Sequence, residues 1–194
     1  GDRPREVADR LAASLDTVTA PEHVAQYARI VTHVFGEHLG EWARGVGLLR
    51  SLRELPAFDR SPAAEGAIAR GIGALRYAEG DARALEALSQ DDRIAAIATA
   101  ASAFAGLGEF KRALGAYAQA LALADAGLPE GSPALRALAI GGNNLAAALE
   151  EKRDRDDAET QGMVAAAQSG LDYWKRAGTW FEEERAHWRL ARSC

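Results

Sequence analysis

Residues 106–124 read GLGEFKRALGAYAQALALA. Two glycines flank a leucine, and an alanine-rich stretch carrying Phe110 and Tyr117 follows. The segment just before, Ile94–Leu107, places Ile97, Ala100, Ala101 and Phe104 at i, i+3, i+4 and i+7, which is one face of a helix. Past the glycine turn, Ala113, Tyr117 and Ala120 keep helical spacing. Two helices joined by so short a turn form an antiparallel pair. Small side chains at Ala101 and Ala113 let the pair approach closely, and Phe104 and Tyr117 fill the space beside them.

The rest of the chain carries the same texture. Of 194 residues, 48% are hydrophobic and only 7% aromatic, which suits close helix packing better than a β-sandwich. The nearest approach to β-branched alternation, Arg29–Phe35, is short and sits in a helix-like frame. The net charge of -5 and the scattered arginines leave no basic field to recruit nucleic acid. The single cysteine, Cys194, excludes an intrachain disulfide, so the fold rests on packing. No apolar run reaches the ~20 residues of a membrane span. Ile94–Leu107 comes closest, but Thr99 and Ser102 interrupt it, and a buried helix is expected. No signal peptide is visible, so the expected compartment is cytoplasmic; a periplasmic one stays open if a leader preceded Gly1.

Helix starts are expected at Asp2-Arg3-Pro4, at Thr19-Ala20-Pro21-Glu22 with capping-box spacing, and at Ser61-Pro62 and Ser132-Pro133, where proline takes the first helical position. Breaks are expected at Gly36 to Gly40, Leu55-Pro56, Ala78 to Asp81, Gly106 to Gly108, Ala126 to Gly131, Arg153 to Asp157 and Gly178. The sum is about nine helices and no strand.

The helical pair of the opening stretch resembles the tetratricopeptide repeat (TPR), a helix–turn–helix unit of ~34 residues. Asp125 stands where that family's closing proline would be. A second unit resembles it through Leu145, Ala146 and Leu149, followed by Ala158 and Ala165, with Gly162 in place of the second-helix aromatic. The resemblance implies an all-α, right-handed α-α superhelix over 21–194, in units of about 21–57, 62–90, 92–127 and 133–177, with a terminal helix at 180–194 and a separate N-terminal helix in 1–20. The unit 62–90, with only a brief helix at 82–89, is degenerate.

Candidate chemistry is sparse. His33, Glu37 and His38 form the one histidine-rich cluster; His33 and Glu37 share a helical face while His38 is expected to point elsewhere, with Gly36 ending the helix. No H-E-x-x-H spacing occurs, so no metal or cofactor is expected. Gly71-Ile72-Gly73 and Gly106-Leu107-Gly108 lack the lysine and preceding strand of a phosphate loop and are expected to serve close packing and turning. No nucleophile motif is present, and no enzyme is expected.

On the TPR resemblance, Arg70, Tyr77, Ser102, Asn143, Asn144, Glu150, Arg185, Trp188, Arg189 and Arg192 are implied to face an inner groove that receives a protein or peptide. Family members that clamp a peptide carboxylate use an asparagine and basic residues. Asn144, Arg185 and Arg189 match that pattern, whereas Ala98 and Ser102 stand where a lysine and an asparagine would be wanted. The aromatics Tyr173, Trp174, Trp180, Phe181 and Trp188 are expected to cap the last turn, or to make a surface for a partner or a second copy. Two other readings of the chain are a ligand-sensing or effector-holding segment of a larger regulator, and a self-assembling accessory subunit.

Overall fold

The computed structural model describes residues 3–194, so the expected start at Asp2 lies outside the described residues. Among the described residues there are nine α-helices and no strand. They are α1 (Pro4–Ala13), α2 (Pro21–His33), α3 (Trp42–Ser51), α4 (Pro62–Glu79), α5 (Gln90–Gly106), α6 (Phe110–Ala124), α7 (Pro133–Glu151), α8 (Asp157–Ala177) and α9 (Trp180–Ser193). None of them is long and apolar enough to cross a membrane. The chain divides into two compact units, Gly1–Leu88 and Ser89–Cys194.

In the first unit α4 packs on α2 and α3. Its core is rich in large apolar side chains: Val24, Val31, Phe35, Leu49, Leu52, Ile68 and Leu75 are all essentially inaccessible. Each such side chain contributes roughly 1.5–3 kcal/mol by leaving water. Ser61 caps α4 by accepting from the Ala64 amide, with Pro62 at the first helical position as expected. Gly71 faces α2 and α3 so closely that a Cβ there would sit 2.5 Å from Thr32 Oγ1 and 3.0 Å from Leu49 Cδ1. That explains this glycine as a packing residue. Beyond α4 the segment 62–90 holds only a 3-10 turn, Ala82–Leu85, and the helical neighbours of α4 lie earlier in the chain.

Two local expectations need correction. Thr19 does not cap α2: the N-cap is Ala20, in extended conformation, with no side-chain bond. Pro21 already removes one orphan donor, so the hydroxyl is not needed there. Nor does Gly36 end the second helix. The chain runs on through it as a six-residue π-helix, Val34–Leu39, and stops at Gly40, which adopts φ +63°. The wider turn carries Phe35 into the core.

The second unit is built on alanine and glycine. Ser89 caps α5 through the Asp92 amide, and eleven of its residues are buried, so it is a core helix on all sides. A turn at Gly108, φ +74°, leads into α6. α7 packs on α5, α6, α8 and α9. Its Gly141-Gly142 pair sets the spacing. A Cβ on Gly141 would lie 3.2 Å from the Ala98 carbonyl of α5, and one on Gly142 would lie 2.5 Å from the Ala166 carbonyl and 2.9 Å from Gly170 Cα of α8. Tyr117 of α6 closes over the doublet and donates its hydroxyl to the Leu138 carbonyl at 2.9 Å. Burial pushes the pKa of that phenol well above its ordinary value.

The expected alanine stations are only partly occupied. Ala101, Ala113 and Ala146 are fully buried, but Ala158 and Ala165 are exposed. The buried stripe of α8 is Met163, Ala166, Ala167, Gly170, Leu171 and Trp174, one residue out of the expected phase. A run of alanines carries no phase information; the bulky residues at either end decide which side turns inward. Gly162, expected to weaken its unit, lies against Leu114 of α6, whose Cδ2 would be 2.5 Å from an added Cβ.

Candidate functional site

The site forms where α9 folds back over α7 and α8. A cluster of Ala139, Leu171, Trp174 and Ala186, with Tyr173 and Leu190 beside it, joins the three helices. Above this cluster lies a cleft of about 250 Å³. α7 lines it with Ile140, Asn143, Asn144 and Ala147, α8 with Trp174, and α9 with Glu182, Arg185, Trp188 and Arg189.

Each wall is held from below. The C-terminal end of α7 is fixed by Arg155, whose guanidinium donates to the carbonyls of Leu149, Glu150 and Lys152 at 2.6–2.8 Å. α8 opens with a reciprocal capping box between Asp156 and Glu159, and α9 with one between Thr179 and Glu182. The hydroxyl and amide of Thr179 hold the Glu182 carboxyl down at about 2, with Arg136 adding 3.6 Å away. This end of the cleft therefore carries a fixed negative charge at neutral pH.

The positive charge is distributed differently from the expectation. Arg189 and Arg192 both pair with Glu150, whose side chain is only 14% exposed. One carboxylate thus engages two guanidiniums, which leaves the trio with a single net positive charge, and Arg192 stays half-exposed. Trp188 stands between these two guanidiniums, 5.1 and 4.9 Å from its ring centroid. Arg185 is different: among the described residues no carboxylate lies within ion-pair distance of it, and its contact is the face of Phe181 at 5.6 Å. Two polar atoms at the site are buried without a partner, Asn143 Oδ1 and the indole Nε1 of Trp174. Such atoms are rare in folded proteins and raise the stakes of whatever occupies the neighbourhood.

Of the residues singled out in the sequence, Asn143, Asn144, Arg185, Trp188 and Arg189 come together in this cleft. Arg192 lies beside it, on Glu150. Arg70 and Tyr77 are half-buried on α4 in the first unit. Ser102 needs correction: it is 3% exposed within α5, with its hydroxyl unpaired, so it presents nothing to a groove. Ala98, its expected companion, is also fully buried. The reason is that α5 is apolar around its whole circumference and is covered on every side.

The aromatic cap also divides. Trp174 is buried and Tyr173 half-buried, but Trp180, Phe181 and Trp188 are 75%, 50% and 54% exposed. α9 turns Ala186, Leu190 and Ser193 inward at helical spacing, which leaves the other aromatics outside. Sequence reasoning missed Ile140, Ala147 and Glu182 as lining residues. The only signal for Glu182 was its position three after Thr179, a capping box that also aims a carboxylate.

Comparison of the chain with protein-family models, with characterised proteins and with solved structures finds no match. What the coordinates define is an all-helical protein with a mixed-charge, aromatic-walled cleft on its last three helices.

Proposed function

We propose that this protein is a non-catalytic peptide-binding module built from TPR-like helix pairs, and that the cleft on α7, α8 and α9 receives an extended segment of a partner protein. The helix order supports the reading. α5 and α6 are joined by a three-residue turn, α7 and α8 by a five-residue turn, and the first helix of one pair packs on the first helix of the next. Repeated in that sense, the pairs generate a right-handed superhelix.

The observation that carries the proposal is the convergence of Asn143, Asn144 and an unpaired Arg185 between two tryptophans. The partner segment places an apolar side chain on Ile140 and Ala147 between Trp174 and Trp188. It offers a carboxylate to Arg185 and backbone groups to the two amides. Because Glu150 engages both Arg189 and Arg192, Arg185 is the cleft cation with no carboxylate partner, and recognition centres on it rather than on an equal triple clamp. The volume favours a side chain over a whole small molecule: about 250 Å³ is below the roughly 300–1,000 Å³ of drug-sized ligand sites.

The test is a selection from displayed random peptides, followed by affinity measurement on wild type, Asn144→Ala and Arg185→Glu. Selected peptides should contain an acidic and an aromatic or aliphatic residue, and should lose at least tenfold in affinity on Arg185→Glu. Peptides that bind the reversed-charge variant equally well would place the groove elsewhere.

A second reading has its own observation. Trp180 and Phe181 form an exposed edge-to-face pair, 5.9 Å between centroids, which suits self-association through α9. Sedimentation of wild type and Trp180→Ser over a range of concentration separates the two readings.

A further inference from the structure

The π-helix in the first unit brings together two histidines that an α-helix would hold apart. Successive residues of an α-helix turn by about 100°, so positions five apart lie about 140° from each other. In a π-turn, where hydrogen bonds span five residues, they come onto the same side. His33 and His38 stand at the two ends of such a stretch, and their Nε2 atoms are 3.1 Å apart. His33 also donates from Nδ1 to Glu37 Oε2 at 3.0 Å. Both imidazoles are exposed to solvent.

From this juxtaposition we infer that His33 and His38 form a binding site for one divalent late transition metal ion, coordinated by the two Nε2 atoms, with Glu37 orienting the His33 ring.

Three features of the geometry support it. First, the Glu37 contact selects the tautomer of the neutral His33 ring. In that neutral ring the proton on Nδ1 points at the carboxylate, and Nε2 presents its lone pair. A carboxylate behind the non-ligating nitrogen is the usual companion of a metal-bound histidine, and it raises the basicity of the other nitrogen.

Second, the ring placement fits a shared ion better than a ring-to-ring hydrogen bond. Two imidazoles joined by a straight N–H···N bond along their axes would hold their centroids about 5.4 Å apart at this nitrogen separation. Two nitrogens aimed at one ion about 2.1 Å away would bring the centroids to about 4.8 Å, with an angle of about 95° at the metal. The centroids are 4.7 Å apart, with the planes at 83°.

Third, the unusual element of the fold is where the ligands are. A π-helix is rare and less well bonded than the α-helix it interrupts, and such segments recur at functional sites. Here it is six residues long and is stopped by Gly40 in the left-handed region.

No group of three metal-ligating side chains gathers anywhere among the described residues. The site therefore supplies two nitrogens and leaves the other positions to water or to a group on another molecule. Imidazole suits copper, nickel and zinc, and Cu²⁺ heads the affinity order for such a site. A bound ion ties the two ends of the π-turn together and so stabilises the first unit.

The test uses the full chain without an affinity tag. Cu²⁺ is titrated into wild type, His33→Ala, His38→Ala, Glu37→Gln and His23→Ala, with affinity read by calorimetry and ligation by electron paramagnetic resonance. Wild type should bind one equivalent through two imidazole nitrogens and gain in Tm. Either His33→Ala or His38→Ala should lose that species, Glu37→Gln should weaken it about tenfold, and His23→Ala should leave it unchanged. The mutated rings are exposed, and circular dichroism checks that each variant keeps the helix content of wild type. Equal affinity in wild type and His38→Ala would overturn the assignment. So would ligation through a single imidazole or through the terminal amine.

Discussion

The two units of this protein solve the same problem with opposite materials. The first brings α2, α3 and α4 together mainly through Leu, Ile, Val and Phe side chains, with Gly71 as a point of close approach. The second brings α5, α7 and α8 together through alanine and glycine, with backbone carbonyls in direct contact across the helix crossings. Large side chains hold helices apart and gain from the area they bury. Small ones give up that area and gain from dispersion between closely packed backbones. The first solution tolerates irregular helix, and it contains the π-turn and three 3-10 turns. The second has five α-helices with no 3-10 or π segment among them.

The two kinds of contact fail in opposite directions. The largest expected effect is in the first unit. Leu49 is fully buried, and Leu49→Ala should cost about 4 kcal/mol, from lost transfer energy plus the cavity left behind. Urea denaturation followed by a probe in the first unit measures it. In the second unit the damage comes from adding atoms. Gly142→Ala should cost about 2 kcal/mol, since the new Cβ meets the Ala166 carbonyl and cannot be accommodated by a rotamer change. Gly162→Ala is the control. Its obstacle is the tip of Leu114, which can rotate, and alanine favours the helix by about 1 kcal/mol, so stability should stay level or rise. If both alanines are tolerated equally, the crossings are looser than the coordinates show.

The smallest effect sharpens the picture of the cleft. The Glu182 carboxyl is held at about 2 in the folded protein, below its ordinary 4.5, by Thr179 and then Arg136. A depressed folded-state value stabilises the protein above pH 4.5, and that contribution fades as pH falls from 4.5 toward 2. Glu182→Gln should therefore lower Tm slightly at neutral pH and flatten the wild-type decline across that window. Parallel Tm curves for the two proteins would show that the cap does not bind the proton-linked charge.

Much of the fold was legible in the order of residues. The serine–proline starts at Ser61 and Ser132 hold, as do the turns at Gly80 and Gly108. These features are local: a side-chain acceptor, a fixed φ or a left-handed glycine acts within one turn of chain. The site was legible in part. Asn143, Asn144, Arg185, Trp188 and Arg189 lie together because helical spacing puts the residues of each helix on one face, and the faces of α7 and α9 meet. Ser102 did not follow, because no local rule says that α5 is covered all round. The phase of α8 was hidden too, since Ala165 and Ala166 look identical until Trp174 and Met163 choose a side.

Residue order alone determined that this chain is helical, where most helices begin and end, and that small residues set their spacing, because those choices cost or gain free energy within a few neighbouring residues. Tertiary structure decided which charges are free. Glu150 takes up Arg189 and Arg192 and leaves Arg185 open, and a π-turn sets His38 against His33. Those outcomes depend on distances between side chains on different turns and helices, which packing fixes and sequence spacing does not encode.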